Sequence, residues 1–255
     1  MQSIDLNCDM GEVPEAVADG TQEALMACLT SVNIACGGHA GDENTMRITV
    51  EQALRRKLAV GAHPGYADRA NFGRLELDLS PDAIAETVFE QVSKLAEIAE
   101  EYGARISHVK AHGALYHQAA RDAVIAAAIA NGVARWRRDV ILVGLAGSPM
   151  LGVFRGAGFA VAAEAFADRR YDLQGSLRSR KFADALILDT AEAAAQALRI
   201  AANGIVIAGD GTEIRVEAQT ICIHGDTPGA VKIAAAVVQR LTDAGLALGP
   251  LVTAS

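Results

Sequence analysis

Short apolar runs recur along the chain, and six of them end abruptly in a cluster of histidine, acid, amide and glycine. The clusters read DLNCDMGE (5–12), NIACGGHAGD (33–42), GAHPGYAD (61–68), VKAHGALYH (109–117), EAFADRRY (164–171) and ICIHGDTPGA (221–230). Most precede a stretch whose apolar positions recur at helical spacing, the pattern of a buried strand followed by a covering helix. Parallel strands arranged this way point their carboxyl ends at one face, and the loops leaving that face build the site. Five of the six histidines (39, 63, 112, 117 and 224) fall inside the clusters. Scattered core histidines would not gather there, so the pattern predicts chemistry.

The periodicity predicts strands at Ser3–Asn7, Val32–Cys36, Ala59–Ala62, Ile106–Lys110, Val140–Leu145, Phe159–Ala165 and Thr220–Ile223. Helices are predicted over 21–29, 42–57, 81–102, from the fourth strand to Trp136, from Ser148, over 190–202, and after Asp226. Ser80-Pro81-Asp82 is a strong helix start, with serine as cap and proline in the first turn. Gly204–Ala208 and Glu213–Val216, joined through Gly209-Asp210-Gly211, read as a hairpin. The expected fold is therefore α/β: an irregular seven-stranded (β/α) barrel of the glycoside hydrolase/deacetylase type. It is expected to occupy 1–255 as one domain, with a small hairpin insertion near 204–217. An open sheet would place its ligands at one or two strand ends rather than six.

Composition narrows the class. Half the residues are apolar, enough to bury a large core without disulfides. The four cysteines (8, 28, 36, 222) lack paired C-x-x-C spacing and read as reduced, buried thiols. A net charge of −8 with no basic stripe argues against nucleic acid. An anionic substrate would need local cations, which Lys110, Arg169, Arg170, Arg178 and Arg180 could supply. The apolar run near 123–134 is too short to span a membrane, and the first strand leaves no room for a leader, so a cytoplasmic location is expected. No G-x-x-x-x-G-K-[ST] loop occurs, which excludes a P-loop nucleotide site.

Within the clusters, Asn7, Asp9 and Glu12 follow the first strand, and three polar groups in six residues exceed what a turn needs. Asp42 is expected to cap a helix, a role that does not account for His39. His63 stands at a strand end. Lys110 and His112 alternate out of the fourth strand, so both can face the barrel mouth. A lysine ending a buried strand is costly unless it meets an anion or a carboxylate, and its ammonium is expected to point into the cavity. His108 reads as structural and His117 as a surface residue of the following helix. Asp168-Arg169-Arg170 is either a solvated turn or a site for carboxylate or phosphate, and Asp226 also suits a helix cap. The candidate catalytic residues are Asp9, His39, Lys110, His112 and Asp226. The candidate substrate- or phosphate-binding residues are Asn7, Glu12, Arg169, Arg170 and His224.

The sequence also resembles the LamB/YcsF family over nearly its whole length. The resemblance rests on DLNCDMGE, NIACGGHAGD, GAHPGYADRANFGR, VKAHGALY, EAFADRRY and AQTICIHGD, in that order. Ala111 and His117 depart from the family pattern, which has proline and asparagine there. The resemblance implies ATP-dependent opening of 5-oxo-L-proline to L-glutamate, with hydrolysis of ATP to ADP and phosphate. It also implies two partners, the further 5-oxoprolinase subunits B and C, and homo-oligomerisation is compatible with it. ATP suits this chemistry, because an unstrained lactam is a poor electrophile until its oxygen is phosphorylated. Two rival readings remain. One is a stand-alone metal-dependent amide hydrolase or deacetylase, by analogy with deacetylase barrels in which Asp9, His63 and His112 would hold a divalent metal ion. The other is a non-catalytic, ligand-holding member of a multi-protein complex.

Overall fold

Seven strands alternate with helices and close into a parallel barrel in this computed structural model, which describes residues 3–252. β1 (Asp5–Met10) leads through two short helices, α1 (Pro14–Ala18) and α2 (Thr21–Met26), to β2 (Ser31–Ala35). Then come α3 (Glu43–Arg55), β3 (Ala59–His63), α4 (Pro81–Glu101), β4 (Ile106–Lys110), α5 (Gly113–Arg121) and α6 (Ala123–Trp136). β5 (Ile141–Leu145), α7 (Met150–Gly156) and β6 (Ala160–Phe166) follow. After a long excursion the chain forms α8 (Thr190–Asn203), the antiparallel pair β7 (Ile205–Ile207) and β8 (Glu213–Arg215), β9 (Thr220–Cys222) and α9 (Ala230–Asp243). The barrel order is β1-β2-β3-β4-β5-β6-β9, so the β7–β8 pair stays outside the wall.

The fold follows from strands buried on both faces, as a parallel sheet wrapped by helices requires. β2 and β5 are buried at every position. Inside the barrel, Ile141, Val143 and Ala162 form an apolar plug against which Leu251 packs. Alongside it the interior is polar, with Asp5, Asn7, Asn33, His108, Glu164 and Thr220 all buried. Barrels of this class usually fill that space with branched apolar side chains. The polar filling is a platform for the site.

Four boundaries differ from expectation. β1 runs on to Met10, so Asn7 and Asp9 belong to the strand and point inward two residues apart. A helix the sequence did not signal, α1, follows it. The helical stretch after β4 breaks at Asp122, whose backbone turns extended and whose carboxylate caps α6 by accepting from the Val124 amide. α9 starts at Ala230 behind Gly229, so Asp226 does not cap it. Among the described residues, no helix is long and apolar enough to cross a membrane.

Candidate functional site

The inward positions of β1, β4 and β6 meet in a buried ion cluster. Lys110 is 3% exposed, and its Nζ lies 2.8 Å from Glu164 Oε1 and 3.0 Å from Asp9 Oδ1. Burial opposes its charge, but Asp9 and Glu164 outweigh that and hold its pKa well above the ordinary lysine value. Asn7 ties the cluster together, donating to Glu164 and to Thr220 while its oxygen accepts from Asn33. Asn33 also donates to Asp9 at 2.9 Å and faces His108 Nε2 at 2.9 Å, a chain that fixes the Asp9 carboxylate. Asp9 is ionised despite burial, because His63 and Lys110 draw its pKa far down.

Directly above lie three histidines and Glu12. His63 Nδ1 is 2.8 Å from the Lys110 carbonyl oxygen, and His112 Nε2 is 2.9 Å from the Phe72 carbonyl oxygen. A carbonyl oxygen only accepts, so each of these nitrogens carries a proton and donates it. The remaining nitrogens, His63 Nε2 and His112 Nδ1, therefore face each other at 3.0 Å, with Glu12 Oε1 3.0 Å from the latter. Neutral rings would bring lone pair against lone pair and carboxylate. Only a proton or a metal cation resolves that contact. The Asp9 carboxylate, 3.2 Å from His63 Nε2, raises the His63 pKa against the opposing effect of burial.

His39 completes the group, stacked on His112 with ring centroids 3.5 Å apart and with its Nε2 2.9 Å from Glu12. Burial lowers its pKa to about 4. The loops around the stack fit closely. Phe72 adopts a left-handed backbone conformation that aims its carbonyl at His112, strain of the kind found at functional sites. Gly73 beside it has φ of +62°, and a Cβ there would stand 2.7 Å from His39. Donor atoms of Glu12, His39, His63 and His112 all lie within 4.8 Å of one another, a set that could hold a metal ion. This set shares His63 and His112 with the expected triplet but has Glu12 and His39 in place of Asp9. Asp9 remains beside the set, its Oδ1 held by Lys110 and Asn33 and its Oδ2 3.2 Å from His63 Nε2.

The cluster floors a cavity of about 880 Å³ at the carboxyl ends of the strands. Its wall includes Tyr116, His117, Phe166, Arg169 and His224. Asp168, which sequence reasoning left unassigned, is fully buried and accepts from His224 Nδ1 at 2.9 Å and from Thr227. That holds the His224 ring against Phe166, its centroid 5.3 Å away.

The expected residues separate accordingly. Asp9, Glu12, His63, Lys110, His112, Arg169, His224 and Asp226 line the cavity, and His39 lies behind His112. Asn7 sits beneath in the barrel interior, where its amide is fully used. Arg170 turns away and grips Glu192 at the start of α8 with both guanidinium ends, because successive residues of an extended chain point to opposite sides. Asp226 is bracketed at the rim by Arg74 and Arg180, at 2.7 and 2.9 Å. His117 is solvent-accessible, yet it belongs to the cavity wall. Missed entirely were Glu164, Asn33 and Tyr116, whose hydroxyl is buried without a hydrogen-bond partner. Glu164 and Asn33 could have been found as polar residues on the inward phase of otherwise apolar strands.

Comparison with known proteins agrees over the full length. A protein of Chloroflexus aggregans named as the A subunit of 5-oxoprolinase is 49% identical over 246 residues, covering 96% of this chain and 98% of its own. The crystal structure of a lactam utilization protein from Thermus thermophilus superposes with a TM-score of 0.91 at 39% identity, covering 98% of this chain and 100% of that one. A family 4 carbohydrate esterase from Streptomyces lividans shares the fold alone, with a TM-score of 0.50 at 12% identity, covering 98% of this chain and 93% of that one. The LamB/YcsF family profile matches residues 4–255, and this chain belongs to the LamB/YcsF family.

Proposed function

We propose that the chain is the A subunit of an ATP-dependent 5-oxoprolinase, opening 5-oxo-L-proline to L-glutamate together with two further subunits, B and C. The observation that carries this reading is full-length similarity, at 49% identity, to a protein named as that component of 5-oxoprolinase. The cavity chemistry supports it. Opening the ring needs a water deprotonated at the carbonyl side and a proton delivered to the departing ring nitrogen. In this reading Asp9, kept ionised by His63 and Lys110, and His63 beside it take the water's proton. In the same reading His224, oriented by Asp168, protonates the nitrogen. ATP supplies the phosphoryl group that, on the lactam oxygen, makes the ring carbon electrophilic. Once water has added and the C–N bond has broken, the opened substrate carries an acyl phosphate, which a second water hydrolyses to glutamate and phosphate. The test is to assay the purified chain alone and with its partners for 5-oxoproline-dependent release of phosphate and glutamate. Turnover by the assembly and none by the chain alone is expected. Amide hydrolysis by the chain alone, without ATP, would overturn the reading.

A second reading, a metal-assisted amide hydrolase, is favoured by the Glu12, His39, His63 and His112 set. Three nitrogens and one carboxylate oxygen suit zinc and its neighbours. The residues fit such an ion, since His63 and His112 both donate their far N–H to backbone carbonyls, as metal-bound histidines do. A bound ion would lower the pKa of a water molecule at the cavity floor. After chelation and dialysis, added zinc or manganese should raise the melting temperature of the wild type and leave His63→Ala unmoved. Equal responses from the two proteins would dismiss the metal.

A further inference from the structure

The cavity has two halves of different character. Its floor has no cation to spare, with Lys110 between Asp9 and Glu164 and the histidines around Glu12. Lys110 is thus committed and has no free side for a substrate carboxylate. On the wall, Arg74 and Arg180 hold Asp226, and Arg121 holds Glu76. Arg169 differs from all of these. It is 3% exposed, and among the described residues it is the one buried arginine, with no carboxylate in ion-pairing range. Its Nη2 donates to the Arg178 carbonyl oxygen at 2.8 Å, which fixes the plane of the guanidinium, while its Nε has no partner.

An arginine in this setting is costly, because it has lost water without gaining an anion. Burial and the nearby Arg180 lower its pKa to about 10, which still leaves it charged at neutral pH. A guanidinium held flat with donors to spare matches the geometry of a carboxylate. We propose that Arg169 receives the carboxylate of the cyclic-amide substrate, so that the cavity selects carboxylated lactams over neutral ones. This rests on the 5-oxoprolinase reading for the identity of the ligand. Recognition then occurs on the wall, at Arg169, and proton transfer on the floor, at Asp9 and His63.

The test compares 5-oxo-L-proline with 2-pyrrolidinone, the same ring without its carboxylate. Calorimetric binding is measured to the assembled complex and to the chain alone. The wild type should prefer 5-oxo-L-proline by about ten- to a hundredfold, the range of a charge-assisted contact. Arg169→Gln should bring 5-oxo-L-proline down to the level of 2-pyrrolidinone and leave the latter unchanged, and Arg169→Lys should recover part of the difference. In turnover the loss should fall on KM more than on kcat. A wild type that does not discriminate between the lactams overturns the proposal, whatever the variants do. So does an Arg169→Gln protein that weakens both equally. Inorganic phosphate is the contrasting probe, and Arg169-dependent binding of phosphate without such binding of 5-oxo-L-proline would replace the carboxylate with a phosphoryl group. A complex that makes no glutamate defeats the reaction assigned above, whereas discrimination between the lactams is read from binding and is judged separately.

Discussion

With its ammonium shut between two carboxylates, Lys110 cannot be removed as a surface charge could. The sequence suggested a strand-end lysine reaching into an open cavity, and truncating it would then have left the fold intact. The structure implies otherwise. Lys110→Ala strands Asp9 and Glu164 in a buried setting, so it should cost about 3–5 kcal/mol of stability in urea denaturation. The double variant Lys110→Met, Glu164→Gln removes one stranded charge and should recover a substantial part. A Lys110→Ala protein as stable as wild type would mean that the ammonium does not neutralise these groups. Much of the site at this scale was legible, since histidines and acids at strand ends announce themselves. Arg169 and Arg170 looked equivalent in the chain, and only the direction of the backbone separates the cavity arginine from the one bound to Glu192. The stacking of His39 on His112 depends on loops from two different strands, and no local pattern encodes it.

Among the elements, strand positions were legible because short apolar runs, buried on both faces, end in polar glycine-rich clusters, while helix breaks were not. The α5–α6 break needs only Asp122 and one lost turn, and the alanine-rich sequence on both sides hides it. Helix packing offers a sharper example. Gly132 lies inside α6, where alanine would ordinarily be favoured by up to about 1 kcal/mol. Yet a Cβ there would stand 2.5 Å from the Ala85 carbonyl oxygen and 2.9 Å from Val88 of α4. Gly132→Ala should therefore destabilise the protein by about 1–3 kcal/mol, an overpacking cost that exceeds the propensity gain. Thermal or urea unfolding of this single variant checks it, and a stabilised variant would mean that α4 and α6 can move apart.

For the whole molecule, the buried histidines set the response to pH. Burial lowers the pKa of His39 to about 4 and of His108 to about 3, from an ordinary 6.5. Between about 6.5 and about 4 the unfolded chain takes up two protons that the folded one refuses, so stability falls as pH drops through that window. The slope should approach roughly 2.7 kcal/mol per pH unit. His63 acts the other way. Its folded pKa is raised by Asp9, so its contribution is full below 6.5 and is lost as pH climbs through the folded value. Urea denaturation across pH in metal-free buffer should show the acid-side slope halved in His108→Gln, and an unchanged slope would place the proton uptake elsewhere. The excursion between β6 and α8 has a different consequence. It is pinned at its base, where Ile187 and Ala185 bond to Asp168 and Arg170, and it adds no rung to the barrel wall. Beyond that base lie Ser179, Arg180 and Lys181, all lining the cavity. A stretch so anchored can drift, lengthen or be exchanged between relatives while the reacting groups stay in place. New ligand preferences in this lineage would then arise by rewriting one loop, with the inherited machinery of the strands untouched.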